Sequence, residues 1–307
     1  MVDTFIETLE YFPRGLVYVA LGIVVLYIAK WILDLVTPYH VSDQLGEKDN
    51  TALGLSITGY FLGVIIVFAA VLYTPLTSGA EYQWQFDADF GYDVLEVFLY
   101  SLGAIAVLNV TRFLVDRLVL FKFNVEKEVI EDQNAGTGAV EFAIYVAVAL
   151  VIASSLAGYE ATPLGAVAPG ILDEIIRSVA FFLLGMVVLV LYALFYQVIT
   201  SYDIHDEIEK DNVAVGVAMA ANLIAISIVI FKAVTGEFVG WSESLISFVT
   251  FAVIGFVLLL VVQWIIDKAM FPKVKIADEL ARDRNVGVAF VVGGIVISAS
   301  LVLFFAI

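Results

Sequence analysis

The sequence predicts an all-α polytopic membrane protein of eight transmembrane helices, arranged as four related helical hairpins in parallel orientation. Three observations carry this. The 307 residues are 62% hydrophobic and 15% charged with a mean hydropathy of +1.00, whereas soluble domains hold about 45–50% apolar and roughly 25% charged residues. The apolar residues come in long uninterrupted blocks, and one polar motif recurs between them.

A bilayer core of about 30 Å needs roughly 20 apolar residues in a helix rising about 1.5 Å each. Eight stretches qualify, near 16–36, 52–73, 95–120, 140–157, 175–199, 213–234, 245–266 and 286–306. Charges, Pro and Gly gather between them, notably over 74–93 and 158–173. The blocks do not alternate as barrel strands must, and lipid leaves a backbone hydrogen bond no partner outside a helix. The first block follows Asp3, Glu7 and Glu10, with Arg14 as its only basic flank. A secretory signal needs a basic leader and a small-residue cleavage site, so this block reads as a retained span.

Basic residues set the orientation. The connections after odd-numbered spans carry Lys48, then Lys122 and Lys127, then Lys210, then Lys268, Lys273, Lys275, Arg282 and Arg284. Arg177, at the start of span five, is the nearest exception. The odd-to-even loops are therefore expected in the cytoplasm of a plasma (inner) membrane, with both termini outside. Tyr82, Trp84, Tyr159 and Trp241 would then lie in an outer aromatic belt.

Those four loops share a pattern. Residues 37–54 and 200–216 both carry Thr-x-Tyr, then Glu-Lys-Asp-Asn, then x-Ala-x-Gly; residues 131–138 and 282–289 carry a looser version. The common residue is Asn50, Asn134, Asn212 and Asn285. Asn favours the N-cap, where its side chain accepts from an otherwise orphaned backbone N–H. Small residues follow two and four positions later: Ala52 and Gly54, Gly136 and Gly138, Ala214 and Gly216, Gly287 and Ala289. Together with the Gly59-x-x-x-Gly63 pair, they make the even spans the candidate packing surface, since small residues let helices approach closely in lipid. Every hairpin would enter the membrane in the same sense, as parallel repeats do.

The Thr37-Pro38-Tyr39 element, the Asp-Asn-x-Ala-x-Gly helix start and the Gly-rich span after it resemble the YjfL-like domain-of-unknown-function family of prokaryotic inner-membrane proteins. Ser201 stands in place of Pro38 in loop three, and Ala289 takes the second small position in loop four. The resemblance implies two four-span units in tandem, 1–165 and 166–307, and a role in envelope homeostasis or membrane stress.

Ionisable groups at span depth are costly and are functional candidates. Pairs four residues apart recur at the cytoplasmic ends of odd spans: Lys30 with Asp34, Arg112 with Asp116, Gln263 with Asp267; Ala193 and Gln197 occupy these places in span five. They form either a polar ring at an inner vestibule or mutually neutralising pairs that snorkel to the interface. Asn109 and Asn222 fall near mid-membrane, as interhelical hydrogen bonders or path-lining groups. Glu141 lies two turns past Asn134, about 10 Å deep by helix rise, placed to carry a proton, hold a cation or pair with Arg112 or Arg117.

The acidic runs 126–132 and 203–211 alternate charge with Val129, Ile130, Ile204 and Ile208, as short surface helices do. His40 and His205 sit at different repeat positions, and no EF-hand spacing, phosphate loop or nucleophile elbow occurs, so neither metal, cofactor nor enzymatic activity is expected. A formal charge of −17 argues against nucleic acid. Lipid is the one partner composition requires; a homo-oligomer is compatible with it, and no ligand is specified. Two functions fit: a structural or regulatory protein of the envelope, or a channel or transporter for ions, protons or small cations such as polyamines.

Overall fold

The computed structural model describes residues 2–76, 88–157, 170–235 and 238–306, and the described residues are helical with no strand. Eight long helices cross the membrane: α1 (Val2–Val36), α3 (Thr51–Leu76), α4 (Ala88–Val119), α6 (Ala135–Ala157), α7 (Ile171–Ile199), α9 (Val213–Val234), α10 (Trp241–Ile265) and α12 (Val286–Ala306). Odd-to-even connections each hold one short helix: α2 (Val41–Gly46), α5 (Val125–Ile130), α8 (Ile204–Glu209) and α11 (Ile276–Ala281). The mixed runs 126–132 and 203–211 predict the second and third of these; α2 and α11 are additional. Some spans start well before their apolar windows, as α4 does, where polar residues such as Asp89 and Asp93 continue the helix ahead of the apolar stretch. At its far end α10 widens into a π turn (Ile266–Met270) ahead of Pro272.

The packing is a row. Helix α3 lies against α6, α6 against α9 and α9 against α12, and these are the most extensive contacts in the molecule. Helices α6 and α9 are buried over most of their length, while α1, α7 and α10 expose most of theirs to lipid. The even spans thus form the packed row, with α6 and α9 at its centre and α12 as exposed at its end as the odd spans are, and small residues explain the close packing. A Cβ on Gly138 would fall 2.7 Å from the Ala52 Cα, one on Gly216 2.6 Å from the Gly136 Cα, and one on Gly59 2.5 Å from the Phe142 Cα. Backbones this close leave room only for glycine. The odd spans flank the row, with α1 and α4 on α3, and α7 and α10 on α9.

Candidate functional site

All four even spans begin with the same construction. The residue before each cap has left-handed backbone: Asp49 (φ 50°), Gln133 (φ 54°), Asp211 (φ 59°) and Arg284 (φ 50°), the positive-φ non-glycines among the described residues. Turning there brings the Asn backbone N–H back to the short helix just completed, at the carbonyls of Gln44 (3.1 Å), Glu128 (2.8 Å), Glu207 (3.0 Å) and Glu279 (2.8 Å). Each Asn Oδ1 accepts from the N–H three residues on, at Leu53 (3.0 Å), Thr137 (3.1 Å), Val215 (3.3 Å) and Val288 (3.1 Å). Each Nδ2 donates to the side chain of Gln44 (3.3 Å), Glu128 (2.9 Å), Glu207 (3.0 Å) or Glu279 (2.8 Å).

The second Nδ2 hydrogen leaves the hairpin. Asn50 donates to the Val129 carbonyl (2.8 Å), Asn134 to that of Ile208 (2.6 Å) and Asn212 to that of Leu280 (2.9 Å). Three stitches therefore join the four loops at one end of the bundle, in the order of the helix row. They are buried, with Asn50, Asn134 and Asn212 at most 1% exposed, where an unmade hydrogen bond is expensive. The caps follow from the sequence pattern. The acceptors Gln44, Glu128, Glu207 and Glu279 do not, although a Gln or Glu five or six residues before each Asn was the available signal.

Further contacts tie loop three to the end of α4. Gln197 Nε2 (3.0 Å) and His205 Nε2 (2.9 Å) both meet the Val119 carbonyl, which requires the Nε2–H tautomer of His205. Lys122 pairs with Asp203 and lies 3.6 Å from Asp206. Burial pushes the His205 pKa below its usual value; the Lys122 hydrogen bond holds Asp203 low, and burial raises Glu128. Desolvation pushes half-buried Tyr202 up to about 12.

Within the membrane the polar groups form two bridges. In the first half, Tyr60 of α3 donates to the Ala29 carbonyl of α1 (3.2 Å) while Asn109 of α4 donates to the Tyr60 hydroxyl (3.0 Å) and to the Ile105 carbonyl (2.8 Å). In the second, Asn222 Oδ1 of α9 accepts from Tyr192 of α7 (3.0 Å) and Gln263 of α10 (2.6 Å), and Asn222 Nδ2 donates to the Ala218 carbonyl (2.9 Å). Tyr60 and Asn222 hold the same place relative to their caps, so an even span links its two odd neighbours in both halves. Sequence reasoning passed over Tyr60 and Tyr192, whose hydroxyls ride on rings indistinguishable from core aromatics.

The pairs four residues apart diverge. Lys30 and Asp34 do meet, at 2.6 Å. Gln263 instead turns inward to Asn222, and Asp267 pairs with Lys268 at 2.8 Å. The Arg112 side chain lies outside the described residues, as do Tyr82, Trp84 and Tyr159. Asp116 is buried, and Glu141 is 1% exposed on α6. Trp241 opens α10 and stacks on Phe181.

Two grooves at span depth are apolar. One of about 840 Å³ between α1 and α3 is lined by Tyr18, Gly22, Leu26, Phe68 and Leu72, and one of about 520 Å³ beside α4, α6 and α7 by Leu99, Gly103, Ile152 and Phe182. A polar recess of about 500 Å³ lies at the end of α4, among Asp116, Arg117, Asn124 and Glu126. Among the described residues no group of His, Asp and Glu is arranged to hold a metal ion.

The model of one family, Domain of Unknown Function (DUF350), matches the chain twice, over residues 7–156 and 170–307. A UPF0719 transmembrane protein of Aquifex aeolicus is 24% identical over 263 residues, covering 85% of this chain and 88% of the relative. The UPF0719 transmembrane protein YshE of Bacillus subtilis is 29% identical over 122 residues, covering 39% of this chain and 87% of that protein. No solved structure matches the chain.

Proposed function

The chain belongs to the DUF350 family, and from that premise we propose that it is a non-enzymatic membrane scaffold serving envelope homeostasis in a prokaryotic inner membrane. One observation carries the reading. The mid-span polar residues Tyr60, Asn109, Tyr192, Asn222 and Gln263 satisfy one another across helix–helix contacts, where a conducting path needs such groups turned toward water. The largely apolar lining of the two grooves, which lie toward the helix ends away from the Asn caps, supports it. The end carrying the Asn caps faces the cytoplasm on this reading, because the basic loop residues collect there, and both termini lie outside.

The competing reading is a channel or transporter for ions, protons or small cations, and the recess around Asp116 and Arg117 favours it. Reconstitution in liposomes separates the two. The scaffold predicts no flux above empty vesicles for protons, monovalent cations or polyamines. A flux present in the native protein and lost in Glu141→Gln would overturn it.

A further inference from the structure

We infer that copies of this chain associate head to tail, the exposed face of α12 in one copy docking on α2 and α3 of the next, by repeating the contact that already joins successive hairpins within the molecule. That contact has two halves. The donor half is a cap Asn with a small residue two positions later. The acceptor half is a carbonyl near the end of the following hairpin's short helix, with a small residue four positions after that hairpin's cap. Asn50 and Ala52 meet Val129 and Gly138; Asn134 and Gly136 meet Ile208 and Gly216; Asn212 meets Leu280.

A row of four hairpins leaves one half of each kind unused. At the last hairpin, Asn285 is exposed and makes no hydrogen bond beyond its own hairpin among the described residues, and a Cβ on Gly287 would meet only the Asn285 side chain. At the first hairpin, Leu45 occupies the acceptor position. It is 38% exposed, whereas Val129, Ile208 and Leu280 are at most 3% exposed. A Cβ on Gly54 would meet nothing nearer than the tip of Leu45 at 3.7 Å. The two unused halves are complementary to each other, and neither is complementary to itself.

Charge runs the same way. Inside the molecule Lys122 reaches Asp203 and Asp206 of the next loop. By position in the repeat, Lys273 corresponds to Lys122 and Asp43 to Asp206. The fourth loop carries Lys268, Lys273, Lys275, Arg282 and Arg284 against Asp267, Asp278, Glu279 and Asp283, five basic to four acidic, while the first carries Asp43, Glu47 and Asp49 against Lys48, one basic to three acidic. The Bacillus relative is matched over 87% of its length by 122 residues, which leaves room for one matched segment; in such a chain an α6–α9 contact requires two polypeptides. A contact that is not self-complementary propagates, into a ring if its rotation closes and a filament if it does not. The inference does not depend on the scaffold reading and holds equally for a conducting protein.

The chain has no cysteine, so single thiols report cleanly. Asp43→Cys and Lys273→Cys proteins, differently labelled, are co-reconstituted in dilute liposomes and treated with a short bismaleimide. The mixture should yield a cross-linked dimer of unlike copies, and neither variant alone should. Adding Gly54→Leu, whose Cβ meets nothing in its own chain nearer than the flexible tip of Leu45, should lower that yield by roughly tenfold without reducing helix content or thermal stability. No cross-link in the mixture, equal cross-linking within each single variant, or a yield insensitive to Gly54→Leu would each overturn the inference.

Discussion

Replacing Gly216 by Ala tests the helix row directly. The added Cβ would lie 2.4 Å from the Gly136 oxygen, 2.6 Å from its Cα and 2.7 Å from its carbonyl carbon. Carbon atoms rest at about 3.5–4.0 Å, so α6 and α9 must part by about 1 Å, and no flexible side chain can yield instead. Overpacking of this kind costs about 1–3 kcal/mol, and a gap of 0.5–1 Å forfeits roughly a quarter to a half of the dispersion well at each neighbouring contact. The higher helix propensity of Ala returns about 1 kcal/mol. Gly103→Ala is the control: it gains that propensity and meets no atom within 4 Å. Both variants share the propensity gain, so they should differ by the overpacking cost, about 1–3 kcal/mol, with Gly216→Ala less stable. Reversible unfolding by SDS titration in mixed micelles, followed by circular dichroism, measures the gap. Gly216→Ala falling within about 0.5 kcal/mol of Gly103→Ala would refute the close-packed row.

The same assay addresses the caps. Asn134→Ala removes a cap worth about 1 kcal/mol and strands the Ile208 carbonyl and the Glu128 side chain, so a loss of about 2–4 kcal/mol is expected. Asn285→Ala, at the exposed end, should lose about 1 kcal/mol or less in the monomer. Gln133→Val, which forces a β-branched residue to φ 54°, should cost about 1–3 kcal/mol, while Gln133→Gly should stay within about 1 kcal/mol of native; equal losses would show that backbone strain is not the cause. His205 has a lowered pKa because burial favours its neutral form. Its contribution is fully present above the unfolded value of 6.5 and is lost as pH falls through the folded one. Unfolding midpoints should decline with acidification below pH 6.5, and that part of the slope should vanish in His205→Gln; a slope unchanged by the substitution would contradict the assignment.

Some of this was fixed by residues acting locally. Lipid demands long apolar helices, so composition and block length announce eight spans; Asn followed by small residues announces where the even ones start. Asn50, Asn134, Asn212 and Asn285 cap as their spacing predicts, because a cap is satisfied within one turn of its own chain. What the tertiary structure alone decided is everything that reaches across hairpins. No local pattern says that the second Asn134 hydrogen finds Ile208, that Gln263 leaves Asp267 for Asn222, or that α12 ends the row with its donor unused. The physical reason lies in the solvent. In water an apolar stripe marks the buried face of a helix, but in lipid both the packed and the exposed faces are apolar, and hydropathy stops distinguishing them. Only close backbone approach and matched hydrogen bonds choose the neighbours, and those exist only once the helices stand side by side.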